Sequence, residues 1–169
     1  CPTMWRLTKE HCASIPTKKS DSVVTTLTNY NVNLDYDNKM IEILLSNYEN
    51  VYVWLQAIED YVILKKNPWF DQLHIIPSSL KAYDDVLKED IDYVGTRLHG
   101  GIRALNMGKR TIIIAVDNRV VEISKDTGLP VIKREDINDN LSAMIQSEFN
   151  TKINLPEENI MRWKQQFLI

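Results

Sequence analysis

With 169 residues, 44% of them hydrophobic, the chain can bury one proper core, and its length favours a single one. The net charge is −3 at pH 7, and the lysines and arginines are scattered rather than gathered on one run, so no nucleic acid is expected as a partner. Two cysteines, Cys1 and Cys12, are too few for a disulfide scaffold, and His11 beside Cys12 lacks the paired spacing of a zinc site. No apolar run approaches the roughly 20 residues of a membrane span, and no signal-like segment opens the chain. The expectation is a reducing, cytoplasmic setting and a domain that belongs to a longer protein.

In chain order, residues 1–21 mix Pro, Lys, Ser and Thr around Trp5 without a period and read as a lead-in segment or interdomain linker. Ser22 to Leu27 is short and rich in β-branched residues, which predicts a first strand ending in the polar loop Thr28 to Asp35. Met40, Ile41, Leu44 and Leu45 recur at helical spacing, so a helix is expected from about Asp37 to Tyr48. Val51 to Leu55 reads as a second strand. Gln56 to Lys65 reads as a helix with Ile58, Val62 and Ile63 inward, broken by Asn67-Pro68. Leu73 to Ile76 reads as a third strand, and Ser78 or Ser79 can cap a helix to about Leu87. Beyond it come a strand at Asp92 to Gly95, a helix, a strand at Thr111 to Val116, a helix at Arg119 to Thr127 and a strand at Val131 to Lys133. Helices at Asp139 to Phe149 and Glu157 to Phe167 close the chain. Short, nearly continuously apolar strands alternating with helices predict a doubly wound α/β fold of about five or six parallel strands, one domain over residues 22–169.

All five glycines, Gly95, Gly100, Gly101, Gly108 and Gly128, fall between Ile91 and Pro130. Leu98, Ile102 and Leu105 give the helix there one apolar face, and Gly108 stands where a C′ glycine would end it. Arg97 and His99 then lie at the helix mouth, where unpaired N–H groups favour an anion. The spacing is not a Walker A loop, because Gly101 and Ile102 occupy the Lys and Ser/Thr positions, and no G-x-G-x-x-G fits these glycines. Two readings stand at this point: an anion site, or glycines that only let helix and sheet pack closely, with Arg97 on solvent and His99 satisfied by a carbonyl. Arg97, His99, Asp117 and Arg119 should share the carboxyl-end rim by topology alone.

Thr96-Arg97-Leu98-His99-Gly100-Gly101, Gly108, the strand Thr111 to Val116, Asp117 and Gly128-Leu129-Pro130 together resemble the C-terminal half of polysaccharide pyruvyl transferases. Cys1-Pro2-Thr3-Met4-Trp5 is similar to the segment with which that family leaves its first domain. The resemblance implies a Rossmann-like half of a GT-B-like enzyme that moves pyruvate from phosphoenolpyruvate to two sugar hydroxyls. It implies phosphoenolpyruvate as donor substrate with no cofactor or metal, a sugar or lipid-linked oligosaccharide acceptor, and a preceding N-terminal domain. It also implies work on capsule or exopolysaccharide, in the cytoplasm or peripherally at the inner membrane surface.

Such a reaction needs fixed positive charge for carboxylate and phosphate, an acid for the methylene carbon, and neutralisation of the departing phosphate. Arg97 fits the first demand as a planar fork. His99 fits the second, either as the acid or as a hydrogen-bond donor that never transfers a proton. Arg119 fits the third: where the family usually has Asp-Pro-Lys, this sequence has Asp117-Asn118-Arg119, which keeps the cation but not the lysine's proton chemistry. Thr96, Leu98, Gly100, Gly101, Asp117, Asn118 and Gln56 are expected as binding residues, with Asp60 beside Gln56 toward the sugar. Arg103, one turn beyond His99, could face the same crevice but is expected in solvent, and His74 is expected in a structural role. The alternative is a nucleotide-sugar-binding domain of a GT-B glycosyltransferase, whose diphosphate the same helix mouth would grip. A receiver-like module is disfavoured, because Thr28-Asn29-Tyr30 stands where its acidic cluster would be.

Overall fold

The structure is a computed structural model and describes residues 1–167. Six strands, β1 (Ser22–Thr25), β2 (Asn50–Trp54), β3 (His74–Ile76), β4 (Asp92–Gly95), β5 (Thr111–Ala115) and β6 (Val131–Lys133), pair in parallel in the order β3-β2-β1-β4-β5-β6. The chain winds outward from β1 to one edge and from β4 to the other, so the order reverses between β1 and β4. This is a doubly wound, Rossmann-like sheet, and in such sheets the crevice at the reversal is where ligands sit.

Helices cover both faces because the strands are apolar on both. Alternate residues point oppositely along a strand. Val24, Tyr93, Ile113 and Ala115 therefore meet one helix layer, while Val23, Val94, Ile112 and Ile114 meet the other. The first layer holds α1 (Lys9–Ala13), α4 (Leu80–Val86), α5 (Leu98–Asn106) and α6 (Asn118–Thr127). The second holds α2 (Leu34–Asn47), α3 (Ile58–Leu64) and α7 (Ile137–Gln146). Ser79 caps α4 as expected, and Thr8, Asn33 and Asp117 likewise accept from the first turns of α1, α2 and α6. Gly128 ends α6 in the left-handed region at φ 74°, a conformation that costs glycine nothing.

The opening segment is docked. Met4, Leu7, Cys12 and Ile15 are buried in the first layer, and the His11 ring lies with Nε2 2.7 Å from the carbonyl of Leu105 at the end of α5. Its short turns, 310 at Pro2–Met4 and helical at Lys9–Ala13, are too brief to show a period. The last helix, α8 (Glu157–Gln165), buries none of its residues, and Trp163 meets Trp5 edge-on at 5.0 Å.

One helix face differs from the sequence reading. Ile58 and Val62 of α3 are exposed (70% and 54%), and Asp60 and Leu64 turn inward instead. The helix starts at Ile58 rather than Gln56, and its rotation follows Asp60, whose carboxylate is held in the crevice.

Candidate functional site

The wall of the β1/β4 crevice is a closed set of hydrogen bonds. Thr26, just past β1, accepts at its carbonyl from Thr96 N (3.0 Å) and from the Thr96 hydroxyl (3.1 Å). The Thr26 hydroxyl meets the Tyr93 hydroxyl at 2.7 Å and accepts from Arg97 N at 3.3 Å; Tyr93 in turn donates to the carbonyl of Arg97 at 2.8 Å. Burial pushes the Tyr93 phenol far up, so it acts as a neutral donor here. Thr96 is thus spent on the backbone, and its side chain staples the two loops together.

The helix rests on the sheet through glycine. A Cβ on Gly95 would lie 2.7 Å from Thr26 N, and one on Gly101 would lie 2.6 Å from Ile113 Cγ1. Gly100 packs over Tyr93, and its carbonyl accepts from Tyr83 (2.9 Å). Leu98, Gly100 and Gly101 are buried, so any contact they make with a ligand is through the backbone of the first turn of α5, which carries no side-chain cap.

Arg97 is the N-cap residue of α5, and its guanidinium is already held on two sides. Nε donates to the carbonyl of Leu27 (2.7 Å), and Nη2 meets both carboxylate oxygens of Asp60 (2.7 and 2.8 Å). Asp60 also accepts from the backbone N–H groups of Gln56 (2.9 Å) and Ala57 (3.1 Å), which ties the start of α3 to the same point. Asp60 is therefore a counter-charge to Arg97 with its oxygens occupied, rather than a group turned toward a sugar. Among the described residues, Arg97 Nη1 has no protein partner. This pairing was missed in the sequence, where Asp60 and Arg97 stand 37 positions apart.

His99 is exposed, and its Nε2 lies 3.5 Å from Cys1 Sγ; no carbonyl holds it. It lines a cleft of about 250 Å3 with Thr3, Trp54, Gln56, Leu80 and Arg103. Arg103 shares that cleft with its side chain 40% exposed and bidentate on Asp84, both contacts at 2.5 Å, and the guanidinium lowers the Asp84 carboxyl below its usual range. His74 is exposed on the edge strand against Tyr52 (ring centroids 5.0 Å).

Asp117, Asn118 and Arg119 follow β5 on the same carboxyl edge. Asp117 caps α6 through Oδ1 (Val120 N, 3.2 Å), and Arg119 Nη2 reaches the Tyr30 hydroxyl (3.2 Å) and Asp117 Oδ2 (3.4 Å) at the surface. Asp117 and Asn118 line a second cavity of about 450 Å3 with Asn31, Lys133 and the buried Arg134. The rim is thus shared, but it is divided: Gln56 and His99 open one cleft, Arg97 lies in the crevice, and the Asp117 group faces another.

A family model described as polysaccharide pyruvyl transferase matches residues 1–118. The chain belongs to the polysaccharide pyruvyl transferase family. The matched residues run from the docked opening segment through the crevice to Asn118. No match was found among curated proteins or among solved structures. The family is one of transferases of polysaccharide synthesis, and among the described residues no helix is long and apolar enough to cross a membrane.

Proposed function

We propose that this chain forms the donor half of an enzyme that transfers pyruvate from phosphoenolpyruvate to a sugar diol. Two C–O bonds form at the central carbon of the enolpyruvyl group, and its bond to the phosphate oxygen breaks. The methylene carbon takes one proton to become a methyl group, and the second hydroxyl proton leaves with phosphate. The observation that carries the reading is Arg97: an arginine at the topological switch crevice, at the mouth of a helix without a side-chain cap, with one guanidinium nitrogen unpaired among the described residues. Asp60 and Leu27 fix the fork, so the donor meets a guanidinium already oriented, which cuts the ordering cost of binding.

His99, one helical turn's start beyond Arg97, is suited to protonating the methylene or to donating a hydrogen bond to phosphate. Arg119, movable and exposed, is suited to neutralising the phosphate as it departs. In this reading a preceding N-terminal domain of a GT-B-like enzyme completes the site, and the acceptor is a sugar or a lipid-linked oligosaccharide met in the cytoplasm. The proposed chemistry uses no metal.

A nucleotide-sugar donor is the second reading, favoured by the polar cavity between Asn31, Asp117, Lys133 and Arg134 at the ends of β5 and β6. The two are separated by incubating the full-length protein with phosphoenolpyruvate and candidate sugars and following phosphate release and ketal formation. Ketal that disappears in His99→Ala and in the neutral double variant Asp60→Asn/Arg97→Gln supports pyruvyl transfer at this site. Activity unchanged in both variants, or activity seen only with nucleotide-sugars, overturns it.

A further inference from the structure

The loop that leaves β1 does not stay over its own strand. Leu27 gives its carbonyl to Arg97 Nε at the crevice (2.7 Å). Further along, Asn31 donates through Nδ2 to the carbonyl of Val116, just past β5 (2.5 Å), and its own carbonyl accepts from Arg134 Nη1, just past β6 (2.5 Å). The sheet order sets β4 between β1 and β5, so at about 4.8 Å per strand the loop runs roughly 10 Å along the carboxyl edge to reach Val116. Its far anchor is firm. Arg134 is 7% exposed, and Asn31 holds the left-handed backbone (φ 51°) that asparagine tolerates better than most side chains.

Tyr30 stands directly before that anchor, 44% exposed, and its hydroxyl joins two groups that follow β5. It donates to Asp117 Oδ2 (3.4 Å) and accepts from Arg119 Nη2 (3.2 Å), which itself lies 3.4 Å from the same carboxylate oxygen. The three atoms form a triangle with no short side. A guanidinium and a carboxylate that meet directly close up, as Arg97 and Asp60 do at 2.7 and 2.8 Å, and the arginine is then occupied by its partner. Here the phenol shares the carboxylate and props the pair open, so Nη2 is placed without being occupied, while Arg119 Nε and Nη1 have no protein partner among the described residues. Leu27 and Tyr30, three positions apart, can span at most about 11 Å, so one short stretch of loop holds both Arg97 and Arg119.

We propose that Tyr30 is a positioning residue of the donor site, with Asn31 fixing Tyr30 in turn: the hydroxyl holds Arg119 at the rim, turned to the departing phosphate, and keeps it from closing onto Asp117. The role rests on the pyruvyl-transfer reading, which is what gives Arg119 a phosphate to meet. A side chain already held loosely in place has less freedom to lose when it takes the anion, and no tight ion pair to break first.

The test is a double-mutant cycle on ketal formation by the full-length enzyme, with phosphoenolpyruvate and candidate sugars. Tyr30→Phe should lower kcat about fivefold, as loss of one hydrogen bond predicts, and leave KM for phosphoenolpyruvate nearly unchanged. Its thermal unfolding should match the parent's, because the ring is half-exposed and stays. In the Arg119→Ala background the same change should lower kcat no further, since the phenol acts only through that arginine. Asn31→Gly keeps the left-handed backbone but releases Val116, and its loss of kcat should vanish in the same background. A kcat in Tyr30→Phe equal to the parent's, or losses at positions 30 and 119 that multiply, overturns the proposal and leaves pyruvyl transfer standing. A parent enzyme that makes no ketal from phosphoenolpyruvate overturns the pyruvyl-transfer reading and this proposal with it.

Discussion

Asp60 and Arg97 form one unit: the carboxylate, 1% exposed, lies with both oxygens within 2.8 Å of Nη2, and the same carboxylate caps α3 through Gln56 and Ala57. A buried ion pair is costly to break from one side, because the remaining charge has nowhere to go. Arg97 is therefore both a proposed ligand and a structural partner, and its single substitution confounds the two.

The double variant Asp60→Asn/Arg97→Gln separates them. Asp60→Ala alone should cost about 3 kcal/mol, from the unpaired guanidinium and the uncapped helix start. The double variant, neutral on both sides, should recover most of that in urea unfolding. Its affinity for phosphoenolpyruvate should still be about tenfold to a hundredfold below the parent, the value of a charged hydrogen bond. Parental affinity in the double variant, measured by calorimetry, would remove Arg97 from the donor site.

Arg110 predicts the largest stability loss in the chain. It is 1% exposed, pairs with Asp92 (3.0 Å), and donates to the carbonyls of Met144, Ile145 and Ser147 that α7 leaves open at its end. Tyr48 donates to the same Asp92 oxygen (2.8 Å). Arg110→Met keeps much of the volume but strands a buried carboxylate, these three carbonyls and that of Thr17 (3.3 Å), so about 3–5 kcal/mol should be lost. A midpoint shift in denaturant below 1 kcal/mol would show that water replaces the guanidinium.

The strands and their order-determining loops were legible because each β-run is short, β-branched and bounded by turn residues; β6 at Val131–Lys133 was read to the residue. The glycine-to-helix geometry was legible for the same local reason. The rotation of α3 was not, because Ile58 and Val62 look like a core face until Asp60 is known to pair with Arg97 in another loop. Arg103 with Asp84 repeats the lesson: a pair made across 19 positions leaves no periodic trace in the chain. Residues 1–21 hid their packing in turns of three and five residues.

Gly101→Ala tests the packing role of the glycines. Its Cβ would press on Ile113 Cγ1 and Cδ1 at 2.6 and 2.7 Å, within a fully apolar layer, and overpacking of this kind costs about 1–3 kcal/mol. The companion Gly101→Ala/Ile113→Val removes Cδ1 from the contact while Cγ1 and Tyr93 Cε1 (2.9 Å) stay, and should regain part of the loss in thermal unfolding. No regain would mean that the helix, not Ile113, resists the methyl group.

The Asp84–Arg103 pair gives a pH signature. Hydrogen bonds from the guanidinium hold the Asp84 carboxyl below its ordinary range in the folded state. Its contribution is therefore present above the unfolded value, about 3.9, and is lost as pH falls through the lower folded value. Asp84→Asn should lower Tm at pH 6, and the gap to the parent should close as the pH is taken toward about 2. A gap independent of pH would mean that the pair acts through shape and not through charge.

Arg119 separates chemistry from stability most cleanly. Its side chain is 60% exposed, and its two contacts, Tyr30 at 3.2 Å and Asp117 at 3.4 Å, are at the long end for hydrogen bonds. Surface substitutions of this kind usually change stability by less than about 0.5 kcal/mol, so Arg119→Ala should unfold as the parent does. If the guanidinium neutralises departing phosphate, the same change should lower kcat about tenfold or more in the full-length enzyme, with little effect on KM for phosphoenolpyruvate. Arg119→Lys keeps a cation within reach and should retain most of the turnover. Equal losses in the lysine and alanine variants would show that the planar fork itself is needed, and an unchanged kcat in Arg119→Ala would place phosphate departure elsewhere on the rim.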